Sequence, residues 1–284
     1  MFYAALDVSL RSVAICIIDQ EGKVRFERSV PLDVPDLVRC LREFGEPIHQ
    51  VGLEVGTLTQ HLGLKEAGFD VVCMEARQVN AALSAMRNKT DKHDARGIAQ
   101  ILRSGWYSRV HVKSVESHYL RALLSSSKVM QRKCIDLENE IRGLFKVFGV
   151  KLPMHLSRGS FDAAVRDTIE SDLALCNALL SMLQAGQMLL ETFLELDRRV
   201  RRAARGDAIC MRFMSIPGVG EITAPSFKAA VDDPTRFKSS RTVGAHFGLT
   251  LRRFQSGEKD NQGRISHAGD ADVGRHFMPP QMRC

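Results

Sequence analysis

Residues 2–30 read FYAALDVSLRSVAICIIDQEGKVRFERSV, and this stretch decides the fold. An apolar run ends at Asp7-Val8, a polar break follows, and a second apolar run leads to the turn Glu21-Gly22-Lys23. A third segment of alternating character completes the pattern of a three-stranded meander. Working outward, DVPDLVRCLREF places Val34, Leu37, Val38 and Leu41 at helical spacing, with Asp33 as the N-cap and Gly45-Glu46-Pro47 as the stop. IHQVGLEV reads as a strand, about 58–67 as a short helix, and FDVVCMEA as a further strand. The next helix begins near Thr90, whose hydroxyl can cap its first turn.

The order β-β-β-α-β-α-β-α predicts a ribonuclease H-like α/β fold, with a mixed central sheet and helices on its faces. The first and fourth strands of such a sheet are neighbours, so Asp7 and Glu54, each at a strand end, should project close together. Asp91 and Asp94 lie three apart and share one face of a helix. Each acid alone has a plainer reading as a strand-end cap, a surface charge or a first-turn helix acid favoured by the dipole. Gathered together they would repel without a cation, and hard oxygen donors suit Mg2+ or Mn2+. Two such ions can activate a nucleophile and stabilise the leaving oxygen of a phosphodiester.

The 284 residues are enough for more than one domain. Forty basic side chains against 33 acidic ones, a formal charge of +7, favour a polyanionic partner. The seven cysteines are odd in number, scattered and without a C-x-x-C pair, so neither a disulfide framework nor a zinc site is indicated. MFYAALDVSL lacks a basic leader, and no apolar stretch is read as reaching about eighteen residues, so a cytoplasmic protein without a membrane partner is expected.

From about 114 to 205 the chain reads as helical. Leu137, Ile141 and Leu144, then Leu173, Cys176, Leu180 and Leu183, step by three and four, while Lys151-Leu152-Pro153 and Arg158-Gly159-Ser160 interrupt. Two long antiparallel helices joined near 150–159 are predicted. The second ends at Arg198, Arg199, Arg201, Arg202 and Arg205, which suit either phosphate contacts or a solvated helix end.

Beyond Cys210, IPGVG with Pro217, Gly218 and Gly220 looks like the turn of a helix-hairpin-helix, whose backbone amides receive a phosphate, or else a plain tight turn. In RRFQSGEKDNQGRIS, Ser256 has Arg252, Arg253, Lys259 and Arg264 around it, and Gly257 allows close backbone approach to a phosphate. On residue types alone this Ser-Gly pair is a turn in a polar loop. His93 reads as exposed polar filler beside the two aspartates, and Ser266 and His267 receive no role.

ALDVSLRSVAICIID, GLEVGTLTQHLGLKEAGFDVVCMEARQVNA and RNKTDKHDARGIAQILR resemble the amino-terminal DEDD domain of transposases of the insertion-sequence 110 family, related to pilin-gene inverting recombinases. The Lys-Thr-Asp-x-x-Asp-Ala signature at Lys89 to Ala95 is the most specific part. FMSIPGVGEITAPSF and FKSSRTVGAHFGLTLRRFQSGEKDNQGRIS resemble the family's carboxy-terminal domain. The resemblance implies a RuvC-like metal-binding domain over 1–112, a coiled coil over 113–207 and a mostly helical transposase domain over 208–284. It implies Asp7, Glu54, Asp91 and Asp94 as catalytic metal ligands and Ser256 as the residue that becomes covalently joined to DNA. It also implies an element-encoded guide RNA beside the DNA partner. Exchange of strands needs two active sites, so a homo-oligomer is expected, with the middle helices as its interface and a site shared between subunits conceivable.

After about 269 the family continues into a basic helix. This chain reads DADVGRHFMPPQMRC, and Pro279-Pro280 cannot continue a helix, which bears on the packing of the last domain and on activity. Three other readings compete with this one: a RuvC-like nuclease using metal and water without a covalent serine, a non-catalytic nucleic-acid-binding remnant, and an actin-like or sugar-kinase ATPase. The last needs a Gly-rich phosphate loop after the first strand, and Asp7-Val8-Ser9-Leu10-Arg11 has no glycine.

Overall fold

The computed structural model describes residues 1–56, 58–84, 90–170, 172–257, 259–266, 269, 270 and 273. The chain divides into two units, Met1–Val112 and Lys113–Cys284.

The first unit is built on a five-stranded sheet of β1 (Phe2–Val8), β2 (Ser12–Ile18), β3 (Val24–Pro31), β4 (Ile48–Glu54) and β5 (Val71–Met74), in the order β3-β2-β1-β4-β5. β1 and β3 flank β2 antiparallel, while β4 runs parallel to both β1 and β5. This is the mixed sheet expected of a ribonuclease H-like fold, with the first and fourth strands side by side. Alternate residues face opposite sides. Ala4, Leu6, Val13, Ile15, Ile17 and Leu53 pack with α1 (Val34–Glu43) and α2 (Leu58–Glu66) through Leu37, Leu41 and Leu64. Ala5, Cys16, Ile18, Val72 and Met74 pack on the other side with α3 (Ala76–Leu83) and α4 (Asp91–Ser104) through Val79, Ile98 and Leu102. Burial on both faces is why AALD and SVAICII read as runs rather than alternations.

Two local expectations need amendment. Asp33 occupies the N-cap position of α1, but its side chain makes no capping bond. The helix α3 has no counterpart in the sequence pattern; its eight residues bury Val79 alone, too little to leave a periodic signal.

In the second unit α5 (Val115–Val147) and α7 (Leu173–Arg205) run antiparallel, since Ile141 and Phe145 meet Leu175 and Leu179 whereas Cys134 and Leu137 face Gly186 and Leu190. Between them lies α6 (Arg158–Ile169), which corrects the prediction of two helices. Ser157 accepts a hydrogen bond from the Ser160 amide at 3.2 Å, so Arg158-Gly159-Ser160 is a capped first turn and not an interruption. Phe161, Val165 and Ile169 then close the same cluster.

The buried register agrees with the predicted one at Leu137, Ile141, Cys176 and Leu183, which form or pack on this cluster, and departs from it at other positions. Leu175, Leu179 and Leu183 are buried, while Leu173 is 76% exposed and Leu144 is exposed as well. By length and composition α7 is apolar enough to cross a membrane, which corrects the expectation that no stretch reaches that length; here one face of it is covered by α5.

The unit continues with α8 (Ala208–Met214), α9 (Thr223–Val231), a 3-10 turn at Pro234–Arg236 and α10 (Ser240–His246). It then forms an antiparallel ribbon of β6 (Leu251–Ser256) and β7 (Lys259–Ile265). The six described cysteines are free thiols. The atypical end after 269 lies, apart from Asp270 and Val273, outside the described residues, as do Lys89 and His267.

Candidate functional site

Leu6 and Leu53 are register partners on parallel strands, so Asp7 and Glu54 each stand one residue past a paired position at the same end of the sheet. Leu6 faces α1 and α2, and Asp7 therefore faces the opposite side, the side of its partner Ala14 and of α4. Glu54 shares that side by its register with Asp7 and accepts a long hydrogen bond of 3.4 Å from Asn80 on α3. The unanticipated helix thus supplies a neighbour to one of the expected acids.

Asp91 and Asp94 sit in the first turn of α4, where the helix dipole favours negative charge. Thr90 caps that turn, accepting from the His93 amide at 3.2 Å, and its hydroxyl lies 3.0 Å from Nδ1 of the His93 ring. His93 is half-buried and engaged with the cap, not exposed filler.

A network not singled out in the sequence fastens α4 to the sheet. Glu27 on β3 takes both guanidinium branches of Arg96, the Nη2 at 2.8 Å, and the ammonium of Lys92 at 2.9 Å. The Arg96 hydrogen bond leads, with Lys92 second, in holding the Glu27 carboxyl down to about 2. Glu27 also faces its register partner Cys16, whose thiol burial pushes up to about 12. Lys92 and Arg96 alternate with Asp91 and Asp94 along the helix, so the anchor sets the height and rotation of the turn that carries the two aspartates.

Hard carboxylate oxygens are the right donors for a divalent cation, and the shared end and face of Asp7 and Glu54 suit one such ion. Among the described residues, however, no three His, Cys, Asp or Glu side chains stand close enough together to hold a metal. The four-acid cluster expected from the sequence is therefore not gathered in this geometry.

In the second unit, Ser256 is the last residue of β6, paired with Lys259, and Gly257 follows at φ +57°. The expected polar loop is thus a strand end at the tip of a ribbon. Arg253 is bound to Asp260 at 2.5 Å, Arg252 donates to the Ser266 carbonyl at 3.1 Å, and Ser266 in turn donates to the Gly248 carbonyl at 3.1 Å. Lys259 and Arg264 lie on β7. Pro217, Gly218 and Gly220 fall in the turn that joins α8 to α9, with Gly218 at φ +87°.

The arginines at the end of α7 have local partners. Arg198 and Arg199 bind Glu195 at 2.8 and 2.9 Å, Arg201 binds Asp197 and Glu221 at 2.6 Å each, and Arg205 binds Glu221. Arg201, then Arg205, hold the Glu221 carboxyl below its usual range. Five arginines, counting Arg202, meet three carboxylates, so the ridge keeps a net positive charge but much less than its sequence suggests.

Two family models match the chain. A DEDD transposase model of IS110 type covers residues 4–149, and the model for the transposase IS116/IS110/IS902 family covers residues 210–280. The chain belongs to this transposase family. Its members are enzymes that cleave and join DNA. The transposase for insertion sequence element IS1111A of Coxiella burnetii is 30% identical over 277 residues, 93% of this chain and 72% of that protein. A probable family 20 transposase of Pseudomonas aeruginosa is 29% identical over 73% of this chain and 62% of its own length. The chain thus spans only part of these relatives. Among solved structures, Thermus thermophilus RuvC is 15% identical with a TM-score of 0.30, over 39% of this chain and all of that one.

Proposed function

We propose that this chain is the catalytic protein of an insertion sequence, cutting and rejoining DNA with Ser256 as the nucleophile and Asp7, Glu54, Asp91 and Asp94 as the acidic half of the site. The family match over both the acidic segment and the serine segment carries this reading. The Ser256 oxygen, on losing its proton, forms a bond to phosphorus while the bond from phosphorus to a sugar oxygen breaks, and that oxygen leaves with a proton. The phosphoester so formed keeps the energy needed to rejoin the strand.

Mg2+ or Mn2+ fits the donor chemistry at Asp7 and Glu54, and when bound it would supply positive charge beside the phosphate. Asp91 and Asp94, on the first turn of α4, are the acids that would join that edge when metal is bound, and Glu27 holds their helix through Lys92 and Arg96. The turn from Ile216 to Gly220 and the ridge from Arg198 to Arg205 contribute sequence-independent phosphate contacts. An element-encoded guide RNA and a homo-oligomer formed through α5 and α7 belong to the same reading, in the cytoplasm, with the three-part division 1–112, 113–207 and 208–284.

The test is a protein–DNA adduct that survives denaturant, formed on element-end DNA with divalent metal. Ser256→Ala should abolish the adduct and leave binding intact, and Asp7→Asn should abolish it too. Cleavage without any adduct, retained in Ser256→Ala and lost in Asp7→Asn, supports a RuvC-like nuclease instead. A second reading, a non-catalytic nucleic-acid binder, is favoured by one observation, the acids not being gathered among the described residues; binding without cleavage on every substrate would establish it.

A further inference from the structure

The ribbon of β6 and β7 is exposed along nearly all its length. A two-stranded ribbon is marginal in water without a covering surface. Its register divides it into two unlike faces. Phe254 pairs with Asn261 and Ser256 with Lys259, which puts Phe254, Ser256, Lys259 and Asn261 on one face. Arg253 and Asp260 occupy the other, where they bind each other. Asp260 is the one carboxylate among the described residues of the ribbon, and it lies on the face opposite Ser256 and Lys259.

On that face the Phe254 ring is 61% exposed. It stands over Gly263, where a Cβ would come within 2.9 Å of the ring and 3.2 Å of Arg252 Cβ. Covering a strand glycine with an aromatic is a known packing device, and it accounts for one side of the ring. The other side remains open to solvent, on the same face as the nucleophile and two residues from it, about 7 Å along the strand.

We infer that this face is a stacking surface for single-stranded DNA, with Phe254 holding an unpaired base beside the phosphate that Ser256 faces. An open aromatic side next to a basic side chain, here Lys259, is the combination that takes bases without reading their sequence. Positioning would follow directly. A base fixed on Phe254 limits where the next phosphate falls relative to the Ser256 hydroxyl. The inference rests on the proposed role of Ser256 for its catalytic meaning, but the binding surface is separable from it.

The experiment measures binding of the full chain to a short mixed-sequence single-stranded DNA carrying 2-aminopurine, across a range of salt. Phe254→Ala and Phe254→Leu should each weaken binding about tenfold and reduce quenching of the 2-aminopurine, with the slope against salt unchanged. Phe254→Tyr should bind as the unaltered chain does, and Ser256→Ala likewise. Phe254→Leu keeps apolar bulk in the strand, so wild-type binding by this variant overturns the inference, as does Phe254→Tyr failing alongside Phe254→Ala. A reduced salt slope in Phe254→Leu also overturns it, since the ring would then be ordering phosphate contacts rather than stacking. If the variants behave as expected but no serine adduct forms on any DNA, the surface stands and the catalytic reading of Ser256 falls.

Discussion

Replacing Glu27 with glutamine removes the charge that anchors α4 while leaving an oxygen in the same place. Glu27 is only slightly exposed, its side chain at 16%, but Arg96 and Lys92 are 40% and 61% exposed and can turn toward water. The loss should therefore be about 1–2 kcal/mol, below the cost of breaking a fully buried pair. The carboxyl is held down to about 2 in the fold, from 4.5 for the free group. The contribution is therefore complete above about pH 5 and disappears as pH falls toward 2, because protonation breaks the pairing. Trp106 is the chain's one tryptophan and lies in the first unit just beyond α4, so its fluorescence during urea unfolding reports on this unit alone. The parent should exceed Glu27→Gln at pH 7, and the two should converge between pH 4.5 and 2. A difference that stays constant over that range would refute the electrostatic account and leave only a packing effect.

Gly63 on α2 lies against α1, where a Cβ would come within 2.4 Å of Val34, so Gly63→Ala should cost about 1–3 kcal/mol in the same unfolding assay. Gly143, inside α5 with nothing within 4 Å of an added Cβ, is the opposite case; Gly143→Ala should raise thermal stability by up to about 1 kcal/mol, read by calorimetry. Glu221→Gln takes the carboxylate from Arg205 and leaves Arg201 with Asp197 alone, and if the ridge touches phosphates, DNA affinity measured against salt should rise with a steeper slope. Unchanged slope would assign the ridge to helix-end stability.

The sheet was legible because each strand carries its own signal: Ala4 to Leu6 and Ile15 to Ile18 are buried on both faces, and the turn at Gly22 separates two of them. Neighbouring placement of Asp7 and Glu54 followed from strand order alone. The helix α6 was not legible, because Gly159 reads as a breaker unless Ser157 is seen to cap the turn. The ribbon was hidden by its composition, since LRRFQS and KDNQGRI have no apolar face and their pairing is a backbone property. Glu195 and Asp197 stand at helical spacing from the arginines they neutralise and were readable; Glu221 is sixteen and twenty residues away and was not. Glu27 offered no signal, its partners being 65 and 69 residues further along the chain. Ser256 came through resemblance, and its residue types alone point only to a turn.

The double grip of Arg201 and Arg205 on Glu221 has a mechanical side. It ties the last turns of α7 to the turn preceding α9, and Ala204, Cys210 and Ala224 pack beneath that joint. With 33 residues, α7 is a rod about 50 Å long. A tilt of only about 5° at its Leu173 end would carry the tied turn sideways by about 4 Å, by lever arithmetic on that length. Any displacement of this rod along its packing on α5 is therefore delivered, through Glu221, to the glycine turn.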